Sequence, residues 1–257
     1  MELESILEYV DRYLGVSEHP DYPTALNGLQ VGPGRGDDVR PIRTIAAAVD
    51  ASLASIEAAR EAGADLLLVH HGLFWGGLQP LTGPHLARVR LLIEGGIALY
   101  SCHLPLDAHA EVGNCALLAR AIGVQPAGRF GTFQDVHIGW WGEVDPAIDI
   151  GELTARVRRA VGGDVHVIPG GRDQIRRIGV VTGGGASFVR EAADLGLDAL
   201  VTGEGPHHTH FEAMERGVHV LFGGHYATET FGVRALAAHL ADRFGLSWSF
   251  IDQPTGL

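Results

Sequence analysis

Two adjacent histidines, His70 and His71, end the apolar run of LLLVHHG (66–72). Two further segments place a carboxylate four residues after a histidine, HLPLD (103–107) and HYATE (225–229). Imidazole nitrogen and carboxylate oxygen are the ligands that a divalent transition metal takes in proteins when thiolates are not supplied. These three segments therefore predict a metal site.

The spacing of the residues favours two ions over one. Neighbouring side chains of a regular strand point in opposite directions, so an adjacent histidine pair is awkward for a single ion. If the strand ends at this pair, each imidazole reaches a different ion. If HYATE is helical, its histidine and glutamate share one face, and the glutamate can bridge two ions with its two oxygens. The predicted ligands of this dinuclear site are His70, His71, Asp107, His225 and Glu229.

A site of this kind leaves coordination positions open for water or substrate, as a catalytic metal pair requires. A hydroxide held between two ions is a strong nucleophile at neutral pH. His103, which shares a segment with Asp107, is predicted to transfer protons beside the metals. The alternatives are a histidine that hydrogen-bonds to a metal ligand and a hydrogen-bonded strand histidine. A buried, hydrogen-bonded histidine explains any one of these positions, but it does not explain their combination.

Three other features carry weaker predictions. The histidines of TGEGPHHTH (202–210) follow Gly-Pro at the start of a predicted helix, where solvent-facing residues are the preferred interpretation. Glu204, in the same segment, is expected to form part of the wall of the site. The GGGAS run (183–187) resembles a phosphate-binding turn, but it lacks a Walker lysine and GxGxxG spacing.

Alternating strands and helices must position these residues. Hydrophobic spacing predicts helices at 2–14, 52–63, 88–96 and 111–124, and buried strands at 42–50, 65–72 and 97–103. Residues 19–41, rich in Pro, Gly, Asn and Asp, are predicted to be a loop. This order predicts an α/β fold with mostly parallel sheets flanked by helices.

The second half of the chain repeats the first. DLLLVHHG (65–72) aligns with DALVTGEG (198–205), and IALYSCHLPLD (97–107) aligns with HVLFGGHYATE (219–229). Chance similarity of Ala-, Gly- and Leu-rich sequence is the alternative. Ligands of parallel sheets lie outside the carboxyl ends of the strands, so the repeat predicts a dinuclear site in the cleft between two related lobes. The predicted lobes are 1–126 and 127–257, in which 127–172 connects the halves and 175–250 repeats 42–126.

Composition excludes several classes of protein. A hydrophobic content of 46% and a charged content of 19% are typical of a globular protein. A net charge of −12 argues against a nucleic-acid partner. No apolar run is long enough to predict a membrane span. Two cysteines, Cys102 and Cys115, do not suggest a disulfide framework, so a cytoplasmic location is predicted.

The motifs together resemble one family, the NIF-three-like dinuclear-metal proteins, whose members are often described as homologues of GTP cyclohydrolase I type 2. The resemblance runs from about residue 20 to residue 252, and its motifs are DYPTALNGLQVG (21–32), ADLLLVHHGLFW (64–75), YSCHLPLDAHAEVGN (100–114), GVVTGGGASF (179–188), DALVTGE (198–204) and GGHYATE (223–229). It implies two interlinked α/β lobes with a dinuclear site whose ligands are the five residues given above. It also implies a toroidal homohexamer, here in a compact form without an inserted domain. The histidine-rich GPHHTH (205–210) departs from the family pattern.

The leading hypothesis is a metal-dependent hydrolase that uses a metal-bridging hydroxide to attack a small substrate. The candidate substrates include molecules with nucleotide-like rings. Its two divalent ions are Zn, Fe, Mn or Co, since imidazole and carboxylate suit all four. Only the family resemblance names GTP. The alternative is a non-catalytic oligomer that binds or delivers metal, as a metallochaperone or a regulatory protein. The chemistry of the ligands does not separate the two hypotheses.

Overall fold

The computed structural model describes residues 1–32 and 40–256 and contains two compact units. The first unit comprises Met1–Leu106 and Val233–Gln253, and the second comprises Asp107–Gly232 and the residues from Pro254 onward. The predicted lobes 1–126 and 127–257 divide the chain by its sequence repeat rather than by compactness, and they stay a prediction.

The described strands and helices follow one another in a largely alternating order. The strands are β1 (Gly28–Val31), β2 (Thr44–Asp50), β3 (Leu66–His71), β4 (Ala98–Ser101), β5 (Gln125–Phe133), β6 (Val136–Ile148), β7 (His166–Pro169), β8 (Ile175–Val180), β9 (Ala199–Thr202), β10 (His219–Phe222) and β11 (Ser247–Phe250). The helices are α1 (Leu3–Leu14), α2 (Leu53–Glu61), α3 (Gly83–Gly95), α4 (Leu104–Ala108), α5 (Asn114–Ala121), α6 (Ile150–Val161), α7 (Val189–Asp194), α8 (Thr209–Arg216), α9 (His225–Thr228) and α10 (Thr230–Phe244).

The sheet of the first unit has the strand order β1-β4-β3-β2-β11. Strands β4, β3, β2 and β11 are parallel neighbours, and β1 is antiparallel to β4. The central strands are apolar over most of their length because both faces of a parallel sheet are covered. Small side chains of β2 pack with larger ones of β3 in one core, which includes Ala46, Ala48, Leu67 and Val69.

The sheet of the second unit has the order β5-β6-β8-β9-β10-β7. Its central strands β8, β9 and β10 are parallel, whereas β5, β6 and β7 pair antiparallel. These antiparallel strands come from or overlap the segment 127–172, which the sequence analysis treated only as a connection. The predicted α/β class with two sheets and flanking helices is confirmed, but the second sheet is parallel only at its centre.

The same local arrangement occurs at repeat-related positions of the two units. The carboxylate of Asp65 accepts hydrogen bonds from the backbone N–H groups of Arg43 and Thr44, at 2.8 and 3.0 Å. The carboxylate of Asp198 accepts from those of Arg176 and Arg177, at 2.9 and 2.8 Å. Each aspartate thus fixes the start of one parallel strand beside the next, as expected of related units.

The N-terminal residues differ from their prediction in one respect. Helix α1 is amphipathic as predicted and buries Leu3, Ile6, Val10 and Leu14. The predicted loop at 19–41, however, contains strand β1, and its residues 33–39 lie outside the described part of the chain. Of the helices in residues 1–32 and 40–256, none is both long and apolar enough to cross a membrane.

Candidate metal centre

The paired histidines lie at the carboxyl end of β3 in the first unit. His70 is fully buried, and its Nδ1 donates a hydrogen bond to the carbonyl oxygen of Cys102, at 2.9 Å. His71 is the last residue of the strand, and its Nδ1 donates to Asp50 Oδ1 of the neighbouring strand, also at 2.9 Å. The two ring centroids are only 4.8 Å apart. The end of the strand therefore brings the two imidazoles together.

His103 follows the adjacent strand β4 and is held by the loop before β1. Its Nδ1 donates to Asp21 Oδ1 at 2.8 Å, and its backbone N–H donates to Asn27 Oδ1 at 2.8 Å. Asp21 Oδ2 accepts from Asn27 Nδ2 and from the backbone N–H of Leu104. Burial alone would raise the pKa of Asp21, but these hydrogen bonds, with that of His103 foremost, lower it below its usual value. Asp21 is therefore a carboxylate that fixes the orientation of His103.

The three imidazoles form one potential metal-binding group. One nitrogen of each ring, from His70, His71 and His103, lies within 4.8 Å of the others. In all three rings Nδ1 faces an oxygen that can only accept, so Nδ1 carries a proton and Nε2 is the basic nitrogen of the neutral ring. Histidines that bind metals use this arrangement, in which the second nitrogen donates to a carboxylate or a carbonyl.

In the second unit, His225 and Glu229 form a close pair. His225 opens the short helix α9, and its Nε2 lies 3.2 Å from Glu229 Oε1, as expected for residues four apart on one helical face. Its Nδ1 donates to Glu204 Oε1 at 2.8 Å, so Glu204 orients this imidazole. The hydrogen bond to Glu229 is the main cause that raises the pKa of His225 to about 9, against an opposing effect of burial. A metal at this pair would displace that proton.

The glycine run at 183–185 packs closely against this pair. Gly183 has φ +61, and a Cβ at this position would meet Glu229 Oε1 and come within 3.2 Å of His225 Nε2. The backbone N–H of Gly183 donates to Thr228 Oγ1, and that of Gly185 donates to Thr202 Oγ1. These two N–H groups already have protein partners, so the run serves close packing and not the cradling of a phosphate.

Asp107, near the end of α4, belongs to a buried polar network in the second unit. Its Oδ1 accepts from Asn114 Nδ2 and from Thr182 Oγ1, each at 2.9 Å. Thr182 also contacts Cys115, whose thiol pKa burial raises to about 12. The network therefore holds a carboxylate among neutral donors.

The remaining histidines of the sequence analysis lie apart from these groups. His207, His208 and His210 are exposed at the start of α8, as the preferred interpretation predicted. Within residues 1–32 and 40–256, they belong to no potential metal-binding group.

Sequence reasoning missed the residues that orient the predicted metal ligands and the predicted proton-transfer residue His103. These are Asp21, Asn27, Asp50, Asn114 and Thr182. Four of them lie in segments that carry the family resemblance, which was the available signal, and Asp50 ends a predicted strand.

The donors fit a divalent transition metal. They are imidazole nitrogens and carboxylate oxygens, and the histidines have their N–H groups turned toward protein oxygens. This fit shows candidate metal-binding groups and fixes neither the number nor the identity of the ions.

Comparisons with known proteins agree with the fold. The profile of the family described as Duf34/NIF3 (NGG1p interacting factor 3) matches residues 1–255. A Deinococcus radiodurans protein named GTP cyclohydrolase 1 type 2 homolog is 46% identical over 254 residues, which cover 99% of this chain and 94% of that protein. The crystal structure of TTHA1606 from Thermus thermophilus matches with a TM-score of 0.88 at 41% identity, over 100% of both chains. The structure of the protein ybgI, described as of unknown function, matches with a TM-score of 0.91 at 34% identity, also over 100% of both chains.

Proposed function

Because the chain belongs to the Duf34/NIF3 family, we propose that it is a metal-dependent hydrolase of small molecules. It binds two divalent ions, drawn from Zn, Fe, Mn and Co, and its ligands are His70, His71, Asp107, His225 and Glu229. This proposal joins the family membership to the donor groups of the two units.

The observation that carries the proposal is the common orientation of four imidazoles. His70, His71, His103 and His225 each use Nδ1 as a hydrogen-bond donor to a carbonyl or carboxylate oxygen. Each ring therefore has Nε2 as its basic nitrogen, which is the form that binds a metal. Each of the four histidines therefore has the hydrogen-bond partner that is usual behind a metal-binding imidazole.

His103 is the proposed proton-transfer residue. Asp21 holds its Nδ1–H at 2.8 Å, so Nε2 accepts a proton and the imidazolium that forms is stabilised by the adjacent carboxylate. The ring of Trp75 lies 4.7 Å from that of His103, and the ring of Tyr22 lies 6.1 Å from it. These aromatic side chains give the histidine an apolar flank.

Bound metal ions would supply one kind of chemistry, namely a water molecule of lowered pKa as the nucleophile. Carboxylate side chains of the protein orient the histidines that are proposed to hold these ions. Glu204 fixes the ring of His225, Asp50 fixes that of His71, and Glu229 is buried at the side of His225. The relatives are named after a GTP cyclohydrolase, so GTP is the first substrate to test.

Assembly and location are further parts of the proposal. We propose a homohexamer, as the family resemblance implies, and sedimentation velocity of the purified protein tests it. We propose a cytoplasmic location, which is supported by the two cysteines, since Cys102 and Cys115 are buried thiols rather than a disulfide. Fractionation of cells that express the tagged protein tests the location.

The function is tested with protein reconstituted separately with Zn²⁺, Mn²⁺, Fe²⁺ and Co²⁺. Bound metal is measured by mass spectrometry after gel filtration, and turnover is measured on GTP and a panel of small phosphate esters, amides and cyclic amidines. The double variant His70→Ala/Glu229→Ala removes one ligand from each unit. The matched control is His137→Ala, which removes an exposed imidazole on β6.

We expect two ions per chain in the parent and the control, with turnover that the double variant abolishes. Turnover unaffected in the double variant would contradict the hydrolase assignment. Two tightly bound ions with no turnover on any substrate would favour the alternative of a metal-delivering or regulatory protein. Protein that binds no ion at all would refute both.

A further inference from the structure

The polar network around Asp107 connects three segments of the chain through residues that all belong to the second unit. Asp107 lies in α4, Asn114 is the first residue of α5, and Thr182 lies just beyond the end of β8. All three side chains are buried, with exposures of 5%, 0% and 6%. A buried polar group lowers the stability of the folded protein unless it is hydrogen-bonded, so each polar atom of this network is expected to have a partner.

The amide of Asn114 has only one possible orientation. Its Oδ1 accepts a hydrogen bond of 2.6 Å from the backbone N–H of Gly232, at the start of α10. A backbone N–H cannot pair with the amide nitrogen, so the side chain cannot be flipped. Nδ2 must therefore face Asp107, to whose Oδ1 it donates at 2.9 Å.

The hydroxyl of Thr182 is fixed in the same way. Its single proton goes to Asp107 Oδ1 at 2.9 Å, since a carboxylate oxygen can only accept. The thiol of Cys115, 3.3 Å away, then donates to the hydroxyl oxygen, and the backbone N–H of Thr182 donates to the sulfur at 3.5 Å. The proton of the hydroxyl is thereby aimed at the carboxylate.

Two donors with forced orientations meet on one oxygen of Asp107. Two hydrogen bonds use the in-plane lone pairs of that oxygen, so it is a poor metal ligand. We infer that Asn114 and Thr182 are positioning residues that make Asp107 a one-oxygen ligand, which binds its ion through Oδ2. The inference rests on the proposed function, and it leaves Glu229 as the carboxylate that can bridge two ions.

The experiment measures Co²⁺ affinity by competition with a chelator and records the visible absorption of the bound Co²⁺. Thr182→Val removes the hydroxyl and keeps the shape of the side chain, and Thr182→Ser restores the hydroxyl. The matched control is Thr154→Val in α6, which also removes one internal hydrogen bond, that to the carbonyl of Ile150. Asp107→Ala provides the reference for complete loss of the ligand, and urea unfolding of the metal-free proteins reports on folding.

We expect Thr182→Val to weaken the binding of one Co²⁺ by about ten- to a hundredfold, the usual effect of losing a partner behind a ligand. Its Co²⁺ spectrum should change as well, because the carboxylate is then able to bind through both oxygens. Thr182→Ser should restore both the affinity and the spectrum, and Thr154→Val should match the parent.

A folded Thr182→Val protein with parental affinity and spectrum would overturn the inference, while Asp107→Ala would still report on the proposed site. If the parent itself binds no Co²⁺, the proposed function fails first. If Thr182→Val does not fold, Asn114→Ser makes the same comparison by removing the other donor. Failure of both variants to fold would assign the two side chains to the packing of the unit, which also overturns the inference.

Discussion

Gly183 offers the sharpest test of how the second unit is built around its histidine–glutamate pair. The residue has φ +61, a left-handed conformation that costs any other L-residue about 1–2 kcal/mol. A methyl group there would also meet Glu229 Oε1 and lie 3.2 Å from His225 Nε2. Glu229 is only 2% exposed, so its carboxylate has little room to move aside.

The substitution Gly183→Ala should therefore act in two ways. Backbone strain together with about 1–3 kcal/mol for overpacking predicts a loss of about 2–5 kcal/mol in the free energy of unfolding. Displacement of Glu229 should weaken the binding of a divalent ion by about tenfold or more. Urea denaturation of the metal-free protein measures the first effect, and titration with Co²⁺ measures the second.

The neighbouring glycine supplies the control. Gly184 has φ −79, and within residues 1–32 and 40–256 no atom beyond its own chain neighbours lies within 4 Å of where its Cβ would be. Gly184→Ala should change the free energy of unfolding by less than about 1 kcal/mol and leave metal affinity unchanged. If the two alanine variants were equally stable and bound Co²⁺ equally well, the structural account of the glycine run would be refuted.

Three further predictions concern the framework and the bound metal. Tyr100→Phe removes the 2.7 Å hydrogen bond by which this buried phenol holds Asp11, and urea denaturation should show a loss of about 1–3 kcal/mol; an unchanged midpoint would speak against that bond. Asp198→Ala should lower the free energy of unfolding by about 1–3 kcal/mol, because the backbone N–H groups of Arg176 and Arg177 lose their acceptor. Asp198→Asn keeps an acceptor oxygen and should lower it less, and equal losses in the two variants would show that the acceptor is unimportant. Removal of metal by a chelator should lower the melting temperature, because an ion at a hundredfold excess over its Kd stabilises the folded state by about 3 kcal/mol. An identical melting temperature with and without chelator would argue that no ion binds the native state.

Much of the fold follows from local sequence patterns. Helix α1 was predictable because its apolar residues recur at helical spacing, and β3 because an apolar run of strand length ends in polar residues and glycine. The family resemblance drawn from the motifs is confirmed by the match over residues 1–255. The α/β class is confirmed by the two sheets and their flanking helices.

The hairpin β5–β6 was not predicted, and its composition explains why. Its residues alternate between buried and exposed positions only in part, and Gly128, Gly131 and Pro126 interrupt the pattern. Strand β1 was missed for a related reason, since four residues inside a polar loop carry too little periodicity. Their pairing is decided by neighbouring strands, which a single sequence does not reveal.

At the candidate site, the residues that could bind metal were easier to predict than the hydrogen-bond partners that orient them. The i, i+4 relation of His225 and Glu229 follows from helical geometry and is found as a contact of 3.2 Å. The pairing of Asp21 with His103 joins residues 82 positions apart and has no local signal. The predicted ligand set stays a prediction, and the orientation of its imidazoles is what the structure adds.

The position of β11 has a consequence for the order in which the chain folds during synthesis. Residues 247–250 form the parallel neighbour of β2, whose own residues 44–50 leave the ribosome about two hundred positions earlier. Throughout that interval, the edge of β2 that later pairs with β11 has no partner strand and can pair with other chains. The second unit is synthesised almost entirely within the same interval and can fold first. A nascent chain that stops before residue 247 should therefore hold a folded second unit beside an aggregation-prone first one.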